Sequence, residues 1–408
     1  MSRLDPHREG LIMASTRRSL LKMGFAGLLI PAGFTACAPE TQPQSFETWR
    51  RDFEAGIPAR MRAANVAGVA VAIASRDSST HYTAAFGFAD LNQQRKFTVD
   101  TPSHLASVSK LFTASALVQL FERRGHSLHD DINGFIDLSV RNPHHPNVPI
   151  TPHQLLTHTS SISDDGYADT SLVGDPIQSL SSFLHDYLSE GGSTYSPDES
   201  FLRAEPGTQW SYSNVAVALA GYVVQSVSGQ SFSSYVETNI FEPLGIRNAH
   251  WYLKQFEPGV LAKPYAIEQG KLAELPQEGY PDVPAGMLRC SVADLATSLR
   301  AMLGGEIDQP AILSPPAVEA MLRRQVDPTI ARYQGLGWTE EEINGRVFIG
   351  HSGRDTGATN MVVVTDDQSH AVAVLMNTDE TLDNDKFRMA LTEDLIAGAE
   401  LGVVTTKP

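Results

Sequence analysis

The chain has 408 residues, of which 42% are hydrophobic and 19% are charged, enough for a large buried core and more than one structural lobe. Its two cysteines are too few for a disulfide framework, and no repeat of fixed period indicates a solenoid or a propeller. The formal net charge is −16 and no dense basic patch occurs, which excludes a typical nucleic-acid-binding protein.

The N-terminus has the pattern of an export signal. Residues 16–22 read T-R-R-S-L-L-K and precede the apolar run Met23–Ala36, which is too short to cross a bilayer. These features predict a signal peptide over residues 1–37, starting at Met1 or at Met13. The pair Arg17-Arg18 resembles a twin-arginine export signal.

The end of this signal resembles a lipobox. The sequence Phe34-Thr35-Ala36-Cys37 places small residues before a cysteine, so we expect acylation of Cys37. The alternative is a simple cleaved signal with a coincidental cysteine. Both alternatives predict an exported protein of the periplasm or cell envelope. Membrane attachment is expected only in the first of them, through a lipid at Cys37.

The remaining chain has strand patterns near both ends and mainly helical and loop patterns between them. Residues 38–46 indicate a tether, and residues 401–408 a tail. The predicted elements are a helix Phe46–Ala64, strands Val66–Ala74 and His81–Ala89 joined by a hairpin at Arg76-Asp77-Ser78-Ser79, strands Arg346–Ile349, Thr359–Val364 and Ala371–Met376, and a helix Asp385–Ala397 ended by Gly398. Strands at both ends predict an α/β (α+β) fold. Its antiparallel sheet is built from both chain ends and flanked by helices, and a mainly helical lobe is inserted at roughly 100–290. A catalytic cleft is then expected between the lobes.

The first chemical motif is Ser107-Val108-Ser109-Lys110, at the start of the apolar helical stretch Leu111–Phe121. Residues at i and i+3 share a helix face, so Lys110 can reach the Ser107 hydroxyl. A serine becomes a good nucleophile when a neighbouring base takes its proton. The motif alone is weak, since Ser19-Leu20-Leu21-Lys22 in the leader also matches it.

Two later motifs strengthen the interpretation. Tyr212-Ser213-Asn214 lies in a turn before the predicted helix Val215–Val227, and a tyrosine hydroxyl there can carry protons while an asparagine orients substrate or lysine. His351-Ser352-Gly353 lies between two predicted strands, where a backbone N–H can bind an oxyanion.

These three motifs in this order resemble the serine β-lactamase and penicillin-binding protein superfamily, in the branch of class C β-lactamases, DD-carboxypeptidases and family VIII esterases. The stretches Leu155–Ser161 and Ala285–Leu288, the latter before a predicted helix Val292–Leu303, resemble that branch as well. The resemblance covers roughly residues 48–400. It implies a β-lactamase/transpeptidase-like fold and a serine hydrolase domain over 47–400.

The resemblance also implies roles for individual residues. Ser107 would be the acylated nucleophile, Lys110 its base, and Tyr212 a proton carrier for the leaving group and the deacylating water. Asn214, His351, Ser352 and Gly353 would bind substrate, and the backbone N–H groups of Ser107 and Arg354 would form the oxyanion hole. No cofactor and no metal is expected.

Two residues depart from the superfamily pattern. Ser161 replaces a glycine, which questions the turn of its loop. His351 replaces a lysine, which removes a permanent positive charge and makes efficient β-lactamase action less favoured. A histidine there is expected to titrate near neutrality unless its surroundings perturb it.

Other candidate residues have simpler interpretations. His158 is expected to be a hydrogen-bonding loop residue, and the lone Cys290 a small packing residue. His144-His145 resembles no metal site. Gly350-His351-Ser352-Gly353 resembles a nucleophile elbow only superficially, because Arg354 stands where that motif needs glycine.

The sequence therefore predicts an exported serine hydrolase acting through an acyl-enzyme on small ester, amide or peptide substrates, of the esterase type. A D-Ala-D-Ala carboxypeptidase or a weak β-lactamase is the alternative activity. A further alternative, a binding protein rather than an enzyme, is a penicillin or muropeptide receptor that is acylated without turnover.

Overall fold

The computed structural model describes residues 45–77, 81–167, 170–305 and 311–402. The predicted signal peptide, Cys37, nearly all of the tether, hairpin residues 78–80 and tail residues 403–408 lie outside this part. The described helices are α1 Phe46–Ala63, α2 Lys110–Arg124, α3 Pro152–Leu156, α4 Leu180–Leu188, α5 Asn214–Ser228, α6 Phe232–Val236, α7 Val292–Met302, α8 Pro315–Leu322 and α9 Leu382–Glu400. The described strands are β1 Gly68–Ser75, β2 Tyr82–Asp90, β3 Arg95–Lys96, β4 Ser103–His104, β5 Leu172–Val173, β6 Tyr265–Glu268, β7 Lys271–Glu274, β8 Glu278–Gly279, β9 Arg289–Cys290, β10 Thr339–Ile343, β11 Arg346–Asp355, β12 Ala358–Val364 and β13 His370–Met376.

The main sheet joins the two ends of the chain. Within the described residues it has seven strands in the order β10-β11-β12-β13-β1-β2-β3, and all neighbours are antiparallel. The decisive pairing is β1 with β13, in which Val69 lies opposite Met376 and Ala72 opposite Ala373. The antiparallel sheet predicted from both chain ends is confirmed.

The alternating side chains of β1 divide the core into two layers. Val69, Val71 and Ile73 pack in a cluster that includes residues of α1 and α9, whereas Ala70 and Ala72 face the larger cluster that includes α2, α5 and α7. Successive residues of a strand point to opposite faces, so both faces of this sheet are buried. The alanine face leaves room for helix α7, which packs directly against β1 and β13.

Helix α9 corrects one prediction. The sequence placed its end at Gly398, but the helix continues to Glu400 and its C-cap is Leu401. A Cβ atom at position 398 would lie 2.4 Å from Trp49 Cζ2 of α1. Glycine is therefore needed for close helix–helix packing and does not end the helix.

The site depends on the buried helix α2 and the strand β11. Every residue of α2 from Lys110 to Phe121 is buried, and the helix is capped at its C-terminus by Gly125 in the left-handed conformation (φ 68°). Strand β11 is longer than its predicted range, because β12 continues the ladder as far as the pair Asp355–Ala358. The motif His351–Gly353 is consequently part of a strand rather than a connection between strands.

Candidate active site

The predicted nucleophile lies at the N-terminal end of α2. Ser107 belongs to the 3-10 turn Ala106–Ser109, and α2 begins at the next residue, Lys110. Ala106 adopts φ 49°, a left-handed conformation that costs an alanine about 1–2 kcal/mol. Such strain is characteristic of functional sites, where the surrounding packing holds an unfavourable backbone in place.

The Lys110 ammonium group is buried beside the serine. Its side chain is 1% exposed, and Nζ donates to Ser107 Oγ at 3.1 Å, Asn214 Oδ1 at 2.8 Å and the Ala285 carbonyl at 2.6 Å. A lysine has three donors, and these three acceptors use all of them. When Nζ gives up one proton, two N–H bonds to Asn214 and Ala285 can remain, and the lone pair can then point at the Ser107 hydroxyl.

Tyr212 lies over the same lysine. Lys110 Nζ is 5.1 Å from the centre of the Tyr212 ring, and this ring stacks on His158 with centroids 4.5 Å apart. His158 Nδ1 accepts a hydrogen bond from the Ser213 backbone N–H at 3.2 Å, so its neutral ring carries the proton on Nε2. Burial, with the positive charge of Lys110, lowers the pKa of His158 well below its usual value. His158 acts as a hydrogen-bonding support under Tyr212.

Asp164 is a positioning residue that the sequence analysis did not identify. Its Oδ2 accepts from the Asn214 N–H at 2.6 Å, and its Oδ1 accepts from the Ser213 hydroxyl at 2.7 Å and the Val215 N–H at 3.3 Å. The carboxylate satisfies backbone donors at the start of α5, where the helix dipole also favours negative charge. It thereby fixes Asn214 against Lys110. No motif marks it, since 50 residues separate Asp164 from Asn214.

His351 is buried and lies near Tyr212. It is 2% exposed, with its ring centre 6.1 Å from that of Tyr212. Nδ1 donates to the Ser352 carbonyl at 2.7 Å, so the neutral ring has a bare Nε2. Nε2 is buried and has no hydrogen-bond partner among the described residues. Burial, assisted by the charge of Lys110, lowers the pKa of His351 to about 3. The surroundings therefore perturb this histidine away from the neutral range that an unperturbed imidazole has, because desolvation disfavours the imidazolium.

The third motif brings strand β11 against the nucleophile. A Cβ atom at Gly353 would lie 2.4 Å from the Leu105 carbonyl oxygen, so only glycine permits this approach. The Ser352 N–H points away from β12 and donates to a side chain of β10. Backbone groups alternate along a strand, so the N–H of Arg354, two residues later, faces the same open edge.

Two cavities meet at Ser107. The larger, of about 610 Å³, is a groove lined by residues at or next to the three motifs, by β10 and by the segment that precedes β10: Ser107, Trp210, Tyr212, Ile330, Ala331, Arg332, Tyr333, Gln334, Thr339, Glu340, Glu341, His351, Ser352 and Arg354. The smaller, of about 340 Å³, is lined by Ser107, Tyr167, Ser171, Asn214, Tyr280, Asp282, Ala285, Arg354 and Asp355. The serine hydroxyl can therefore be approached by a substrate with one group in each cavity.

Asp282 lines the smaller cavity, and the pKa of its carboxyl group is raised. Burial raises its pKa to about 6, although the Tyr167 hydroxyl, which donates to Oδ1 at 2.7 Å, and the charge of Lys110 oppose the rise.

The loop with the unusual Ser161 retains the turn that glycine would allow. Ser161 has φ 62° and His158 has φ 55°, both left-handed. Asn142 Nδ2 donates to Ser161 Oγ at 2.8 Å, a bond that glycine could not make. The serine hydroxyl thus compensates for the backbone strain.

The other candidate residues lie apart from this site or in the core. Cys290 is fully buried, and burial raises its pKa well above the usual value. His144 Nε2 contacts the Pro197 carbonyl at 3.2 Å. Across the described ranges, no group of three or more His, Cys, Asp or Glu side chains could hold a metal ion.

Comparison with known proteins agrees with this arrangement. A sequence profile described as Beta-lactamase matches residues 53–395. The chain belongs to the Beta-lactamase family. It is a serine hydrolase of this family, with the three motifs of the predicted superfamily gathered at one site.

Two curated relatives match the chain at low identity. Penicillin-binding protein 4* of Bacillus subtilis is 23% identical over 344 residues, which cover 80% of this chain and 72% of the relative. Protein flp of Staphylococcus aureus is 22% identical over 293 residues. These cover 72% of this chain but only 56% of Protein flp.

Solved structures share the fold. The octameric penicillin-binding protein homologue from Pyrococcus abyssi has a TM-score of 0.68 at 24% identity, with 84% of this chain and 76% of that chain covered. EstCE1, described as a hydrolase with promiscuous acyltransferase activity, has a TM-score of 0.66 at 16% identity, with 86% and 99% covered. At such identities the likeness concerns the fold alone.

Within the described residues, no helix is both long enough and apolar enough to cross a membrane.

Proposed function

We propose that this protein is an exported esterase-type hydrolase that transfers the acyl group of a small ester or amide to Ser107 and then to water. The observation that carries the proposal is the buried Lys110 Nζ, 3.1 Å from Ser107 Oγ and held by Asn214 and Ala285. A nucleophile, an adjacent base and a third group that orients the base are the parts that covalent acyl transfer requires.

In acylation, unprotonated Lys110 takes the Ser107 hydroxyl proton while Oγ forms a bond to the substrate carbonyl carbon. The carbonyl oxygen becomes an oxyanion, which the N–H groups of Ser107 and Arg354 stabilise. The tetrahedral intermediate then expels the alcohol or amine. The proton taken from Ser107 reaches that leaving group through Tyr212, so that the leaving group departs neutral.

In deacylation, a water molecule replaces the leaving group beside Tyr212. Tyr212 takes one proton from the water and passes its own hydroxyl proton to Lys110 as the water oxygen bonds to the acyl carbon. Collapse of the second intermediate breaks the bond to Ser107 Oγ and returns the proton to that oxygen. The products are a carboxylic acid and the free enzyme.

The groove favours neutral esters over carboxylate-bearing β-lactams and peptides. His351 is uncharged because burial holds its pKa near 3, so it supplies no positive charge to a substrate carboxylate. The Ser352 N–H, which an extended peptide would need at this strand edge, already donates to Glu341 Oε1 at 2.5 Å.

A serine-replacement experiment tests the nucleophile. Ser107→Ala is expected to abolish turnover of a p-nitrophenyl ester and labelling by a fluorescent penicillin or a fluorophosphonate. Ser115→Ala is the matched control, because Ser115 lies in α2 and donates to the Leu111 carbonyl of its own helix. Wild-type labelling of Ser107→Ala would refute the assignment. Stoichiometric labelling of the wild type without turnover would instead support the receptor.

A substrate panel tests the preference. Short acyl esters, a D-Ala-D-Ala peptide and nitrocefin are assayed side by side, and the esters are expected to have the highest kcat/KM. Faster release of D-alanine would replace the proposal by a carboxypeptidase, and faster opening of nitrocefin would replace it by a β-lactamase.

We also propose that the protein reaches the cell envelope through its twin-arginine-like leader and is anchored there by lipid on Cys37. The support is the sequence of residues 16–37, with its paired arginines, apolar run and terminal cysteine. One acyl chain holds a protein weakly, so several chains on the mature N-terminus are required for stable anchoring.

A further inference from the structure

A carboxylate lies in the wall of the larger groove. Glu341 of β10 is partly buried there, and its Oε1 accepts the Ser352 N–H of β11. Gly350 makes room for this side chain, because a Cβ atom at position 350 would lie 3.0 Å from Glu341 Cγ. The carboxylate is thus built into the groove at the strand edge that carries the third motif.

The cations of this groove already have acidic partners. Arg332 Nε is 2.6 Å from Glu340 Oε2, and Arg354 Nε is 2.7 Å from Glu380 Oε1. His351 is neutral for the reason given above. Among the described residues that line the groove, both arginines are therefore ion-paired with other carboxylates. The charges of Arg388 and Arg354 also act on Glu341, but burial outweighs them and raises the pKa of its carboxyl.

The larger groove is the side on which the leaving group must lie. Tyr212 lines it and does not line the smaller cavity, whereas Asn214 lines the smaller cavity only. A group that protonates the leaving atom has to be within hydrogen-bond reach of it. The leaving group therefore enters the larger groove, and the acyl group enters the smaller cavity.

We propose that Glu341 determines leaving-group specificity, so that the enzyme prefers alcohols, thiols or amines carrying a cationic N–H group and discriminates against those carrying a carboxylate. This inference rests on the proposed acyl transfer at Ser107. A negative charge in a partly desolvated wall attracts a cation and repels an anion, and both effects act on kcat/KM.

Three thioesters with one shared acyl group test the charge preference. Their thiols are 2-(dimethylamino)ethanethiol, 3-methylbutanethiol and 3-mercaptopropanoate, which present an ammonium, a neutral group of the same shape and a carboxylate. Released thiol is measured with a disulfide reagent at pH 8, well above the ordinary pKa of a glutamate carboxyl, because burial raises the pKa of Glu341. Each rate is divided by the imidazole-catalysed rate, which removes intrinsic reactivity because imidazole is a neutral nucleophile.

For the wild type we expect a normalised preference for the ammonium over the carboxylate thioester on the order of tenfold or more. Glu341→Gln keeps an acceptor for Ser352 but removes the charge, and should bring the ratio to within about threefold of unity. Glu319→Gln is the control for net charge, because Glu319 is exposed on α8. That variant should retain the wild-type ratio.

The outcomes separate this inference from the proposed function. If all three thioesters are hydrolysed through Ser107 and the ratio is equal in wild type and Glu341→Gln, Glu341 does not set specificity and acyl transfer stands. If no thioester is hydrolysed and Ser107 is not labelled, the proposed function itself fails. If Glu341→Gln does not fold, salt provides the second measurement: 0.5 M NaCl should reduce the wild-type preference by screening. A preference for the carboxylate thioester would overturn the inference.

Discussion

The buried His351 makes the stability of the fold depend on pH in a defined window. Its pKa is about 3 in the folded protein, against about 6.5 for a histidine in an unfolded chain. Below pH 6.5 His351 binds a proton in the unfolded state but stays neutral in the folded state. The free energy of unfolding therefore rises with pH. This contribution is fully present above pH 6.5 and is lost as the pH falls towards 3.

The magnitude follows from the difference between the two pKa values. One pKa unit corresponds to about 1.4 kcal/mol, so lowering the pH from 7.5 to 5 should cost about 2 kcal/mol through this residue. His351→Gln cannot take up the proton, and its unfolding free energy should lack this part of the pH dependence. His158 is also buried, with a lowered pKa, but it is present in both proteins and its contribution cancels.

The measurement is urea unfolding of wild type and His351→Gln at pH 7.5, 6 and 5, followed by circular dichroism. The change in unfolding free energy between pH 7.5 and 5 should be about 2 kcal/mol smaller in the variant. His185→Gln is the control, because this histidine is 56% exposed on α4 and its replacement should leave the wild-type dependence intact. Equal pH dependence in wild type and His351→Gln would refute a buried, neutral imidazole.

Four further predictions concern the site and the leader. Asp164→Asn keeps the shape of the side chain but loses a charge-assisted hydrogen bond at the start of α5. It should lower the unfolding free energy by about 2 kcal/mol and kcat at least tenfold. Unchanged values in urea unfolding and ester assays would contradict the positioning role of Asp164. Gly353→Ala should reduce kcat/KM for esters about 100-fold, because the added methyl group would lie 2.4 Å from the Leu105 carbonyl oxygen. Ester kinetics at the wild-type level would rule out this steric role. His351→Lys should raise the ratio of nitrocefin to ester hydrolysis, since a lysine restores a cation for the lactam carboxylate; an unchanged ratio would mean that the histidine is only a structural substitute. Cys37→Ala should move the protein from the membrane to the soluble fraction, and a soluble wild-type protein would refute lipidation.

Local spacing was sufficient for the parts of the site that lie near one another in the chain. Ser107 and Lys110 are three residues apart at a helix start, so their contact follows from helical geometry. The β-rich run Val66–Ala74 likewise indicated a strand, which the structure has as β1 at Gly68–Ser75. The extent of β11 was underestimated because the partner β12, rather than the pattern of β11 itself, extends the ladder through Asp355.

The sequence by itself determined the family, the nucleophile–base pair and the origin of the sheet in both chain ends. Each of these follows from residue types in short local patterns and from the order of those patterns along the chain. Only the tertiary structure decided that Asp164 holds Asn214, that the Ala285 carbonyl binds Lys110, that His351 is neutral and that Glu341 lies in the groove wall. The physical reason is that hydrogen bonds and desolvation depend on distance and burial. Both are set by segments that are remote in the chain and meet only in the folded protein.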